Sequence, residues 1–141
     1  MRELKFRVLD KLRNKIKYLN DSHDTFFFKK DGSVGYITLQ DGIVRDEYIL
    51  MQFTGLQDKN GKDIYEGDVV KWDKDNHYNN CGGNCNTDRI EIVKYKEYGF
   101  EPFIYSDGYN GVIMIDYNYC EVIGNIYENP ELLWYLTYFT L

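Results

Sequence analysis

A mainly β fold is predicted for this chain of 141 residues by two observations. Asn-Gly and Asp-Gly pairs punctuate it, at Asp31-Gly32, Asp41-Gly42, Asn60-Gly61, Asp107-Gly108 and Asn110-Gly111. Such pairs accept the positive φ angles of tight hairpin turns. Between them lie short runs rich in β-branched and aromatic residues, and aromatics make up 17% of the chain. Flat rings pack well on a pleated, half-buried surface. A barrel or a pair of curled sheets accommodates so many short strands.

The elements follow in order. Leu4, Phe6 and Val8 alternate with charged neighbours, the period of a strand. Val8, Leu12, Ile16 and Leu19 also repeat near helical spacing, with no Gly or Pro against a helix. A hairpin turning at residues 10–14 is the preferred reading. Residues 26–28 and 36–39 flank the Asp31-Gly32 turn as strands. The run 51–70, MQFTGLQDKNGKDIYEGDVV, holds the Asn60-Gly61 turn, an apolar step at Ile64-Tyr65, a second turn at Glu66-Gly67-Asp68 and a strand start at Val69-Val70. Residues 69–72, 90–93, 103–105, 112–117 and 121–127 read as further strands. Residues 73–89, DKDNHYNNCGGNCNTDR, bury almost nothing and read as a long exposed hairpin loop. Asn129 before Pro130 is an N-cap residue ahead of the first helical position. A short helix from Pro130 is expected, with Trp134, Leu136 and Phe139 keeping an apolar side on the body. Residues 1–50 form a small β-hairpin part and residues 51–141 a larger β part, either separate or sharing one core.

Bulk properties narrow the function classes. Hydrophobic residues make up 43%, enough for a core. Net charge is −6, which opposes tight, sequence-independent nucleic-acid binding, because counterion release needs clustered Lys and Arg. The one basic stretch is Lys5, Arg7, Lys11, Arg13, Lys15 and Lys17, whose alternation is compatible with one solvated strand face. No run reaches the length of a membrane helix. The odd count of 3 Cys and the mixed charged start at Met1-Arg2-Glu3 point to the cytoplasm, with reduced thiols.

Three blocks carry a resemblance. They are Met1-Arg2-Glu3-Leu4-Lys5-Phe6-Arg7 at the start, Leu50-Met51-Gln52-Phe53-Thr54-Gly55-Leu56 running on through Asp58, Asn60, Gly61 and Ile64-Tyr65-Glu66-Gly67-Asp68, and Val122-Ile123-Gly124-Asn125-Ile126-Tyr127-Glu128-Asn129-Pro130-Glu131-Leu132-Leu133 at the end. Together, in this order, they resemble the YopX-like family of phage and prophage proteins. Val8-Leu9-Asp10 departs from the aromatic residue that the family usually places before the Asp. The resemblance implies a small, largely β protein of mobile-element origin, whose part 51–141 is similar to an SH3-like barrel. It implies no catalytic residue. The matched residues read as fold determinants: Gly55, Gly61 and Gly67 supply turn angles, and Asp58 closes an Asx-type turn.

Chemical motifs are few. Cys81 and Cys85 have a zinc-like gap, with His77 four residues before them, but a fourth ligand must come from Cys120, His23 or an Asp. No metal or cofactor is expected. Counting a calcium loop from Asp58 puts Lys62 fifth, Asp63 sixth and Val69 twelfth, which fails the pattern. Neither His23 nor His77 accompanies a nucleophile motif, and Asp73 and Asp75 sit in the polar run as ordinary solvated acids. No catalytic residue is assigned and no binding residue is identified.

The leading expectation is a non-enzymatic module that binds an unidentified protein through Tyr side chains and exposed strand edges, with self-association open to the same edges. The alternative is a nucleic-acid-associated accessory protein that stacks bases on its aromatics. The missing fourth ligand generates a first prediction. Replacing Cys81 and Cys85 by Ser leaves folding and metal content unaltered, as elemental analysis of the purified protein will show; one zinc per chain, lost in the double variant, defeats it.

Overall fold

In a computed structural model, described for residues 4–19, 25–30, 34–37, 44–45, 48–73, 88–106, 112–114 and 116–139, the chain is mainly β with one short α-helix. It divides into two compact units, Met1–Phe53 and Thr54–Leu141. The turns expected at residues 31–32, 41–42, 107–108 and 110–111 lie outside the described residues.

In the first unit, β1 (Phe6–Asp10) and β2 (Lys15–Tyr18) form the expected hairpin. Asp10 makes the turn. Its Oδ1 accepts from the backbone N–H of Leu12 at 3.1 Å and of Arg13 at 3.2 Å. Asn14 closes the turn at φ 50°, in the left-handed region that Asn tolerates. This local chemistry defeats the helical spacing of the segment, and Leu12, which a helix would have buried, is exposed. β3 (Thr25–Phe28), β4 (Val34–Ile37) and β5 (Val44–Arg45) form a separate antiparallel sheet in that order.

β6 (Tyr48–Gln57) is a long strand whose first half pairs with β1 and whose second half lies beside β7 (Asp63–Tyr65). Gly55, expected in a turn, takes φ 87° inside β6 instead. The Thr54 hydroxyl donates to the carbonyl of Ile64 at 2.9 Å and accepts from Leu56 N–H at 3.1 Å, which holds the irregularity in place.

The second unit continues with β8 (Asp68–Trp72), β9 (Arg89–Ile92), β10 (Lys94–Lys96), β11 (Gly99–Glu101), β12 (Ile104–Ser106), β13 (Val112–Met114), β14 (Cys120–Asn125) and α1 (Glu131–Phe139). β14, β8 and β9 make a three-stranded antiparallel sheet in that order, with a bulge between Val122 and Gly124. β10 with β11 and β12 with β13 are hairpins. The core gathers Ile64, Val70, Trp72, Val93, Phe100, Phe103, Cys120 and Val122. Trp72 and Phe103 meet with ring centroids 5.9 Å apart. Burying each ring contributes on the order of 3 kcal/mol.

Several expected bounds change, each for a local reason. The strand expected over 112–117 ends early: the Asp116 carboxylate accepts from Asn118 N–H at 2.9 Å and starts a 3-10 turn over Tyr117–Tyr119. The strand expected over 121–127 stops at Asn125, whose side-chain oxygen accepts from Tyr127 and Glu128 N–H at 3.0 and 2.9 Å. The loop expected over 73–89 gives up Arg89 to β9. The helix begins at Glu131 rather than Pro130, and its first bonds run from Leu132 N–H to the Asn129 carbonyl and from Leu133 N–H to Pro130. Leu132 keeps the body contact, since a Cβ on Gly124 would lie 2.7 Å from its Cδ1. Trp134, expected inward, is 67% exposed.

Gly67 carries the turn into β8. It has φ 79°, its N–H donates to the Val93 carbonyl and its own carbonyl accepts from Ile126 N–H. A β-branched side chain cannot adopt that angle without strain. Gly67→Val is therefore expected to lower stability by about 1–3 kcal/mol, read from urea denaturation; an unchanged midpoint would show that the turn accepts another backbone conformation.

Candidate functional site

The residues that the sequence singled out around 58–68 converge on backbone rather than on a cavity. Asp58 is buried. Its Oδ1 accepts from Asn60 N–H at 2.8 Å and Lys62 N–H at 3.0 Å. Its Oδ2 accepts from Val122 N–H in β14 at 2.9 Å. Burial pushes this carboxyl up, but the bonds from Val122, Lys62 and Asn60 and the Lys62 charge outweigh it, so the group titrates below its ordinary value. Asp68 is also buried, and its Oδ2 accepts from Tyr65 N–H at 2.8 Å. Gly61 sits at φ 78°, its N–H donating to the Asp58 carbonyl. These are fold determinants.

The cysteines and histidines divide differently. Cys81, Cys85, His77, His23 and Asp75 lie outside the described residues. Cys120 is buried, and burial followed by the Asp58 charge pushes its thiol up to about 12. Asp73 and Asp88, which bound the run 74–87, both meet the Lys71 ammonium, at 3.5 and 2.8 Å. Lys59 bridges Glu121 at 2.8 Å and Asp73 at 3.5 Å. The hydrogen bonds to Asp88 and to Glu121 raise the pKa of Lys71 and Lys59 respectively. Among the described residues, no group of three or more His, Cys, Asp or Glu side chains is placed to hold a metal ion, and no helix is long and apolar enough to cross a membrane.

The basic stretch does not form one face. Register pairs Arg7 with Tyr18 and Val8 with Lys17, so Lys5 and Arg7 project from one side of the sheet and Lys15 and Lys17 from the other. Arg7 is only 3% exposed. Lys5 lies over the Phe53 ring at 5.1 Å. Lys17 reaches the Asp10 carboxylate at 3.7 Å and the Tyr48 ring at 6.0 Å. Lys11 and Arg13 belong to the turn between β1 and β2, where Arg13 pairs with Asp10 at 3.1 Å. Burial raises the Asp10 pKa, and Arg13 and Lys17 more than reverse it. A continuous phosphate track is absent from this hairpin.

What the sequence did not single out is a groove in the second unit, about 540 Å³ in volume. Arg89, Glu91 and Ile92 of β9 form one wall. Lys94 and Lys96 of β10 and Glu101 of β11, followed by Pro102, form another, and Leu136 of α1 completes it. Lys94 stands opposite Glu101, and Tyr95 opposite Phe100. Alternation therefore sends Lys94, Lys96 and Glu101 to one face of the hairpin and Tyr95 to the other, edge-on against Phe100 at 5.1 Å. Gly99, at φ 138°, lets the chain turn between the two strands. Arg89 meets Glu91 at 3.2 Å and lies over the Trp72 ring at 5.8 Å. Lys96 meets Glu101 at 2.7 Å. Lys94 has no ion-pair partner among the described residues. The lining thus holds three cations and two carboxylates beside three apolar residues, locally positive in an acidic chain. This chemistry suits binding. The run Lys94-Tyr95-Lys96-Glu97-Tyr98-Gly99 has no Asn-Gly or Asp-Gly pair to mark its turn; its only signal is Lys-Tyr-Lys alternation before a Gly.

Comparisons with known proteins follow the fold. The family model described as YopX protein matches residues 5–134. No curated protein matches. Among solved structures, protein EF1440 from Enterococcus faecalis is 24% identical, with a TM-score of 0.59, covering 94% of this chain and 99% of that one. Protein yopX from Bacillus subtilis is 23% identical, with a TM-score of 0.57, covering 92% of this chain and 95% of that one. Identities this low carry the fold alone.

The Asp58 geometry sets a pH dependence. A carboxyl depressed in the folded state contributes stability that is fully present above its unfolded pKa, near 3.8, and is lost as pH falls through the lower folded value. Asp58→Asn places an amide N–H₂ where a carboxylate oxygen now faces a backbone donor. It is expected to cost about 2–3 kcal/mol at neutral pH and distinctly less near pH 2, measured by urea denaturation at both; an equal cost at both pH values counts against the assignment.

Proposed function

This chain belongs to the YopX protein family, and from that premise we propose that it is a non-enzymatic protein-interaction module of phage or prophage origin, working in the cytoplasm. On this reading its second unit follows an SH3-like barrel plan. Support for the plan comes from short antiparallel strands and hairpins gathered on the Trp72–Phe103 core. The observation that carries the function is the exposure of large aromatics on the second unit: Tyr95 at 63%, Tyr98 at 52% and Trp134 at 67%. Folding gains little from rings left in water, whereas a partner gains large, low-entropy contact area from Tyr and Trp. In the groove Glu91 and Glu101 are both engaged in ion pairs, which suits a binding surface better than proton transfer.

The nucleic-acid reading ranks second. The exposed rings of Tyr95 and Tyr98 beside Lys94 and Lys96 favour it, since bases stack on such rings next to cations. The net charge of −6 and the division of the basic stretch between two sheet faces weigh against it.

Affinity capture from prophage-induced host cells, with and without nuclease, separates the two readings. Capture of a stoichiometric protein that survives nuclease is expected. It should be lost in a Tyr98→Ser, Trp134→Ser variant whose thermal melting is unchanged. Submicromolar binding to random single-stranded DNA near about 150 mM salt, abolished by reversing Lys5 and Lys17 to Glu, would put the nucleic-acid reading first.

A further inference from the structure

Three features of the second unit meet in the groove beside α1. The first is a strand edge. Among the described residues β9 pairs with β8 on one side and with no strand on the other. In an antiparallel ladder alternate residues direct N–H and C=O outward, so such an edge is a template for another extended chain. The second is charge. Lys94, exposed and without an ion-pair partner among the described residues, stands two residues beyond the end of that edge. The third is shape. The 540 Å³ space has the apolar residues Ile92, Pro102 and Leu136 in its lining, and lies within the size range of ligand clefts.

We infer that this groove takes an extended acidic segment of a protein partner, which adds as a strand along the outer edge of β9 and sets a carboxylate on Lys94. The inference rests on the protein-interaction reading and specifies its chemistry. Charge complementarity selects the occupant. With Arg89 and Lys96 already engaged by Glu91 and Glu101, Lys94 is the cation of the groove lining left, among the described residues, to recruit an anion. A basic segment would meet that ammonium directly.

The test uses the isotopically labelled full chain and two probes, an octapeptide of alternating Glu and Val and its Lys-Val counterpart. Titration of the acidic peptide is expected to shift backbone amides of residues 89–96, weaken as salt is raised, and lose affinity by about fivefold or more in Lys94→Glu. Lys94→Gln should fall between. Lys94 is exposed, so both variants keep the wild-type melting temperature. Acidic peptides N-methylated at alternate amides, in each of the two registers, separate strand addition from charge attraction: one register should fail to bind. Equal binding of both methylated peptides, equal binding of the Lys-Val peptide, or shifts confined to other residues overturns the inference. If that happens while the captured partner is still lost in the Tyr98→Ser, Trp134→Ser variant, the protein-interaction reading stands and the groove is not its site.

Discussion

Three backbone N–H groups converge on the Asp58 carboxylate, and the architecture of the second unit hangs on that point. A buried carboxylate without partners is costly, so the turn that carries it is stable only where the donors are in place. Two donors, Asn60 and Lys62, are local and define the turn. The third, Val122, belongs to β14 and lies 64 residues along the chain. One side chain thus closes a tight turn and pins it to a distant strand, and Lys59 N–H donating to the Cys120 carbonyl repeats the link on the adjacent residue. β14 in turn pairs with β8, which starts from the Gly67 turn, itself bonded to Val93 and Ile126. The residues that carry the resemblance in the sequence take part in this chain of mutual constraints.

Local chemistry was readable from residues, and long-range pairing was not. The hairpin turning at 10–14 follows from the strand spacing of Leu4, Phe6 and Val8, the mainly β character from the spacing of turn pairs, and the helix near Pro130 from Asn129-Pro130. The end points of strands were missed where a side chain intervened: Asp116 and Asn125 each capture the backbone two residues on, an effect that strand propensity does not register. The inward assignment of Trp134 failed because hydrophobicity alone decided it. Leu132 takes the place against Gly124, and Trp134, two residues on, falls about 200° around the helix from it. The groove was invisible because it is made by β9, the β10–β11 hairpin and α1 together.

Among the described residues, several cations are already matched to carboxylates. Lys59, Lys71, Lys96, Arg13 and Arg89 each rest on a carboxylate within 3.2 Å. Isolated surface pairs of this kind add little stability, but they cancel the positive field that would attract a polyanion. The same pairing makes an unbalanced charge informative. In a chain of net −6, a locally positive groove is a contrast that the surrounding surface sharpens.

Cys120 offers a different use. It faces Trp72 across the β14–β8 ladder and is fully buried, and its thiol stays protonated to about pH 12. The thiolate is the reactive form of cysteine, so an alkylating reagent finds no target there until the ladder parts. Of the 3 Cys in the chain, this one is therefore an internal clock for opening of the core. Its modification, distinguished from that of Cys81 and Cys85 by peptide mass, counts excursions of the second unit out of its folded state without any introduced label.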